Sequence, residues 1–131
     1  MRQQLLCDRL LKLGVPLVLC LIAAQAQAAA FTFITPTYRV TVTPQCAEGS
    51  VTCNDVSYLG QNRRTGQSLR LRGRTEHVLC ADGVTPCRFV GYVFQNGSYR
   101  YAINEDQSTL NIWRGHTLIW SEVGQWQQER N

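Results

Sequence analysis

Alternation of apolar and polar positions organises the chain from residue 38 onward. In YRVTVT (38–43), Tyr38, Val40 and Val42 share one parity and Arg39, Thr41 and Thr43 the other, the period-two pattern of a strand with one buried face. Pro36 and Pro44 bound the run, so this strand is short or lies at a sheet edge. DVSYLG (55–60) predicts the next strand, NRRTG (62–66) a turn, and QSLRLRGRTEHVL (67–79) a longer alternating strand. RFVGYVF (88–94) is nearly continuous in apolar character, which predicts a central position in its sheet. Asn96-Gly97 is a hairpin signal of the primed-turn type, and it leads into YRYAIN (99–104). The turn EDQS (105–108), TLNIW (109–113), RGH (114–116) and TLIWSEV (117–123) complete an up-and-down series. About seven to eight short strands, with almost no helical period, predict an all-β fold, a small antiparallel barrel or sandwich. Trp126 follows the last predicted strand and is therefore expected to be exposed.

A second regularity overlies the first. CAEGSVTCNDVSYLGQN (46–62) and CADGVTPCRFVGYVFQN (80–96), offset by 34 positions, share 8 of 17 residues in register. The shared residues are both cysteines, Ala, Gly, Val, Tyr, Gln and Asn. This predicts one supersecondary unit used twice, a looped-out cysteine pair feeding a strand. Two copies are too few for an elongated solenoid, which needs about three before a continuous core is buried.

The N-terminus follows a different rule. MRQQLLCDRLLK carries Arg2, Arg9 and Lys12 against Asp8, the apolar run LGVPLVLCLIAA spans 12 residues, and small residues follow in AQAQAAAF. A charged start, a short apolar middle and A-x-A tripeptides predict a secretory signal peptide over residues 1–28, leaving a single β domain over 29–131. The run is shorter than the roughly twenty apolar residues a membrane-spanning helix needs, so no transmembrane anchor is expected. Loss of Arg2, Arg9, Lys12 and Asp8 lowers the net charge from +4 to +2. That balance argues against nucleic acid as a partner.

Export changes the meaning of the cysteines. Without Cys7 and Cys20, four remain: Cys46, Cys53, Cys80 and Cys87. An even count in a small exported domain predicts two disulfides and a periplasmic or secreted location. Zinc is disfavoured, because structural zinc pairs are usually separated by two to four residues and these by six. The same spacing excludes a redox C-x-x-C, and no metal or other cofactor is expected. Four cysteines allow three connectivities; the local pairs 46–53 and 80–87 are preferred, because AEGSVT and ADGVTP each hold an acidic-Gly turn.

Three groups of residues are candidates for chemistry. In SLRLRGRTEH, Arg70, Arg72 and Arg74 share one strand face and Leu69 and Leu71 the other, so three guanidiniums form a row suited to carboxylates or phosphates, extended by Arg63 and Arg64 in the preceding turn. Trp113, Trp120 and Trp126, with Tyr99 and Tyr101, crowd the last third of the domain, where they serve either as core pairs or as a binding patch. Catalytic constellations are poor. His77 and His116 are the only histidines, no serine sits in a nucleophile-elbow pattern, and Glu76 and His77 are adjacent on a strand and so point to opposite faces.

The segment SYRYAINEDQSTLNIWRG (98–115) resembles periplasmic inhibitors of c-type lysozyme in its Ser-containing loop, Arg-Tyr pair and later Trp. The likeness covers 18 residues and rests on Ser98, Arg100, Tyr101 and Trp113. It implies a small disulfide-bearing antiparallel β barrel and an inhibitor loop that enters a lysozyme cleft, here the segment NGSYRY. The expected function is an exported, non-catalytic binding protein, an inhibitor or immunity-type binder of a cell-envelope enzyme such as a lysozyme, or of a toxin. Its binding residues are expected among Asn96, Ser98, Tyr99, Arg100, Tyr101 and Trp113 and the row Arg70, Arg72 and Arg74. The alternative is a module for an anionic envelope glycan or lipopolysaccharide; a weak hydrolase is the third reading.

Overall fold

The computed structural model describes residues 28–128. The expected signal peptide lies, apart from Ala28, outside the described residues. Among these, no helix is long and apolar enough to cross a membrane. The described residues form nine strands: β1 (Phe31–Ile34), β2 (Tyr38–Pro44), β3 (Val56–Asn62), β4 (Ser68–Leu79), β5 (Pro86–Asn96), β6 (Tyr99–Asn104), β7 (Thr109–Arg114), β8 (Thr117–Val123) and β9 (Gln125–Trp126). They pair in one antiparallel sheet with the order β8-β7-β6-β5-β4-β3-β2-β1-β9. Consecutive strands are neighbours from β1 to β8, and β9 returns to pair with β1, so the sheet is a nearly closed barrel.

The count exceeds the expected seven to eight strands because β1 and β9 are too short to carry a period of their own. β1 has four residues, all paired with β2, and β9 has two, which pair with the other side of β1, Phe33 opposite Trp126 and Ile34 opposite Gln125. The pairing overturns the expectation that Trp126 is exposed. Its ring stands 5.0 Å from that of Phe33 and 6.1 Å from that of Tyr92, and its indole N–H donates to Glu105 Oε2 at 3.1 Å.

Between β8 and β9 lies a single residue, Gly124, which carries the chain from one edge of the sheet to the other. Its N–H donates to Ser108 O at 2.8 Å. A Cβ there would stand 2.6 Å from Ile34 O and from the Phe33 ring, so the crossing admits no side chain.

Alternation decides which side chains fill the barrel. Val40 and Val42 from β2, Phe33, Val56, Phe94, Ile103 and Leu110 are fully buried, one or more from each of β1, β2, β3, β5, β6 and β7. Tyr58 joins them, 4.9 Å from Phe94. The interior is thus packed with side chains rather than open along its length. RFVGYVF occupies the centre of the sheet, with Gly91, Tyr92, Val93 and Phe94 all buried.

The two cysteine units form the pairs Cys46–Cys53 and Cys80–Cys87. The strands they feed, β3 and β5, run in the same direction and flank β4 on its two sides, so the repeat is structural as well as sequential. The loops diverge where the sequences do. Cys53 is only 5% exposed, and its loop is fastened to β4: the Cys53 N–H donates to Thr75 Oγ1 at 2.9 Å and the Thr75 N–H to Cys53 O at 2.8 Å. Cys80–Cys87 instead closes the projecting tip of the β4–β5 hairpin, where Val84 is 79% exposed. Within that tip Asp82 accepts the Thr85 hydroxyl and the N–H groups of Val84 and Thr85, which hold its carboxyl down at about 2.

Candidate functional site

Antiparallel strands joined by short connections put alternate turns at opposite ends of the barrel. One end gathers the β3–β4, β5–β6 and β7–β8 turns, and the other the two disulfide loops and the β6–β7 turn. The β5–β6 turn sets the register for the candidate residues. With Asn96 opposite Tyr99, Gln95 falls opposite Arg100, Arg100 opposite Trp113, and Trp113 opposite Leu118. On the other side Gln95 is opposite Arg72, and Arg72 opposite Ser57. A continuous row of outward positions therefore crosses from β3 to β8.

At the hairpin end of this row the surface is concave. Gln95, Ser98, Arg100, Trp113, Gly115 and His116 line a depression of about 290 Å³. The Arg100 guanidinium carbon stands 5.3 Å from the Trp113 ring centroid, a cation–π stack that fixes the direction of the fork. Gln95 Nε2 donates to Gly97 O at 2.7 Å, and the Gly115 N–H to Ser98 O at 3.3 Å, so the two turns that form the rim are linked. Ser98, Arg100 and Trp113, three residues singled out by sequence, are brought together here. Gln95, Gly115 and His116 were missed, although the register imposed by Asn96-Gly97 puts Gln95 beside Arg100.

The remaining candidates fall elsewhere. Tyr99 and Tyr101 have the opposite parity to Arg100. Tyr101 packs against the core with its ring 5.8 Å from that of Tyr58, and Tyr99 lies under the Arg114 guanidinium at 5.8 Å. Asn96 ends β5 at the turn and is half-buried. Arg70, Arg72 and Arg74 all project outward from β4, alternating with the half-buried Leu69, Leu71 and Gly73. Arg72 pairs with Asp55 at 2.5 Å, with both side chains largely exposed, so the bond adds little stability. Arg63 does not extend the row; its guanidinium donates to Thr35 O at 2.8 Å and braces the β1–β2 turn.

Glu76 is exposed and His77 half-buried on opposite faces of β4. The hydrogen-bond partner of His77 Nε2 is Thr75 Oγ1 at 3.1 Å. Among the described residues no group of three or more His, Cys, Asp or Glu side chains is arranged to hold a metal ion. No family model matches the chain, no curated protein matches it, and no solved structure matches its fold.

Proposed function

We propose that this chain is an exported binding protein that acts without catalysis, as an inhibitor or immunity-type binder of a cell-envelope enzyme such as a c-type lysozyme. The observation that carries the reading is the convergence of Ser98, Arg100 and Trp113 in one depression. A guanidinium held over an indole loses little further freedom on binding, and its fork is shaped to take a carboxylate with two parallel hydrogen bonds. Ser98 adds a hydroxyl at the same rim. Glycosidase clefts carry paired carboxylates at the scissile bond, so the exposed Arg100 beside the β5–β6 turn supplies the opposite charge at the edge of such a cleft. The two disulfides support residence in an oxidising compartment.

Calorimetric titration against a purified c-type lysozyme tests the reading. Binding is expected for the native protein, with a loss of about tenfold or more for Arg100→Ala and for Trp113→Ala. Unchanged affinity in both variants would remove the depression from the account, and unchanged affinity in the triple Arg70→Ala, Arg72→Ala, Arg74→Ala variant would remove the β4 row.

A second reading draws on the same stack. Cation and aromatic face side by side, with Gln95 and His116 beside them, are the elements that contact phosphate and sugar in an anionic envelope glycan. Trp113 fluorescence distinguishes the two: a response to lipopolysaccharide or peptidoglycan fragments, with none to the enzyme, favours the glycan.

A further inference from the structure

We infer that the β7–β8 hairpin docks this protein on an anionic lipid bilayer, with its apolar side chains in the headgroup boundary and the arginines beside them on lipid phosphates. β8 is the strand that the barrel leaves without a strand partner on one side. None of its residues is buried, and the consecutive Leu118, Ile119 and Trp120 are 45%, 48% and 40% exposed. Successive side chains on a strand turn to opposite faces, so the hairpin is apolar on both, and neither face is fully covered.

Cations border these residues. The Gly115-His116 turn puts Arg114 opposite Thr117 at the start of β8, and the Arg114 guanidinium lies over the Tyr99 ring. Across the seam Trp120 meets Tyr38 at 6.1 Å, and the exposed Arg39 follows Tyr38 in β2. The β3–β4 turn is fastened to the same place: the Arg63 N–H donates to Thr37 O at 2.8 Å, its guanidinium donates to Thr35 O at 2.8 Å, and the exposed Arg64 comes next. Carbonyls and aromatic faces leave a guanidinium charged. Among the described residues, none of these four arginines has a carboxylate within ion-pair distance. The acids gather at the opposite end, Glu48 and Asp82 in the disulfide loops and Glu105 and Asp106 in the β6–β7 turn. Glu122, which lies at the seam, is held by Thr37.

Charge and apolarity together select the partner. A bilayer with anionic headgroups offers both, since the headgroups attract arginines and the zone beneath them takes indole and aliphatic side chains. A polysaccharide or a nucleic acid supplies charge without an apolar medium for Leu118 and Ile119. A second copy of this chain supplies apolar surface but would set guanidinium against guanidinium. Edge-to-edge pairing is also blunted: Trp120 is opposite Ile112 and Leu118 opposite Trp113, which leaves Ile119 as a bulge in the edge strand. The patch abuts the Arg100 depression but shares none of its lining residues, so lipid docking stands or falls apart from the proposed inhibition.

The test uses protein recovered after export, with its N-terminus checked by mass. It is sedimented with vesicles of phosphatidylglycerol and phosphatidylcholine in equal parts, and with vesicles of phosphatidylcholine alone. Binding is expected to the anionic vesicles only and should weaken as salt is raised. Lipids brominated in the acyl chain should quench its tryptophan emission. Each arginine near such a surface is worth about fivefold, so an Arg39→Ala, Arg64→Ala variant should bind about 25-fold more weakly. Ile119→Ser should bind several-fold more weakly, through lost apolar contact. With native protein alone, equal binding to both vesicles, binding to neither, indifference to salt or absence of quenching would overturn the inference. So would native affinity in the double arginine variant, or a concentration-dependent dimer that Ile119→Ser abolishes, which would give β8 to a second copy instead.

Discussion

Thr37 Oγ1 donates a 2.6 Å hydrogen bond to Glu122 across 85 positions of sequence, and the Thr37 N–H adds a second at 3.3 Å to the same carboxylate. Side chains thus bridge the seam of the barrel where β8 has no strand partner beyond β7. Tyr38 and Trp120 meet beside them with ring centroids 6.1 Å apart.

Glu122→Ala is expected to cost about 1.5–3 kcal/mol, the range for hydrogen bonds to a charged group. Burial works to raise the Glu122 pKa, but hydrogen bonds from Thr37, Thr35 and Trp120 outweigh it and leave the group below its ordinary value. A folded-state pKa below the unfolded one means that the contribution is present above the carboxylate range and is lost as pH falls through the folded value. Urea melts of native and Glu122→Ala protein should therefore differ at neutral pH and converge in strong acid. A constant difference would show that the loss is packing alone.

The two disulfides should not be equivalent. Each spans a sequence separation of 7, so chain entropy assigns both about 2–3 kcal/mol. Cys53 is buried and its loop is bonded twice to Thr75, whereas Cys80–Cys87 closes an exposed tip. Replacing Cys46 and Cys53 with Ala should lower stability by about 1 kcal/mol more than replacing Cys80 and Cys87. Denaturant melts of the two double variants measure the difference, and the reverse order would contradict the assignment of Cys46–Cys53 to the core.

Gly124→Ala is expected to lose about 1–3 kcal/mol, because its methyl would meet Ile34 O and the Phe33 ring at the only point where the chain changes edges. Thr117→Ala, exposed at the start of β8, should stay within about 0.5 kcal/mol of native. Thermal melts of the pair compare them directly.

At high pH the buried phenols take over. Burial, and then Tyr101 and Tyr38, push the Tyr58 hydroxyl well above the ordinary tyrosine range; Tyr92 is raised by burial and Glu105. Groups raised in this way support the fold below their unfolded pKa, and that support fades as pH rises toward the folded values. Tyr58 phenolate absorbance should therefore appear only together with loss of near-ultraviolet circular dichroism. Complete ionisation of the tyrosines with the dichroism intact would contradict the burial of Tyr58.

The strands legible in the sequence are those whose apolar pattern, alternating or continuous, lasts five residues or more. In β4 the parity of Leu69 to Arg74 predicts the outward arginines, and in β2 Val40 and Val42 predict their own burial. β1 and β9 carry no such signal, since two to four residues cannot define a period, and Trp126 was misjudged for that reason. The depression was half legible. Asn96-Gly97 announces the hairpin, but the meeting of Arg100 with Trp113 depends on the β6–β7 register, which rests on a turn with positive φ at Ser108, a residue with no glycine signal. An 820 Å³ cavity lined by the Cys46–Cys53 loop was not legible, because the two cysteine loops are nearly alike in sequence and only Cys46–Cys53 folds over the barrel end.

The proposed role is tested most directly by the lytic activity of a c-type lysozyme titrated with this protein and with an Arg100→Ala, Trp113→Ala variant. The account predicts stoichiometric loss of lysis with the native protein and an effect weaker by about tenfold or more with the variant. Full lysis at large molar excess of native protein, or equal inhibition by the two, would contradict it.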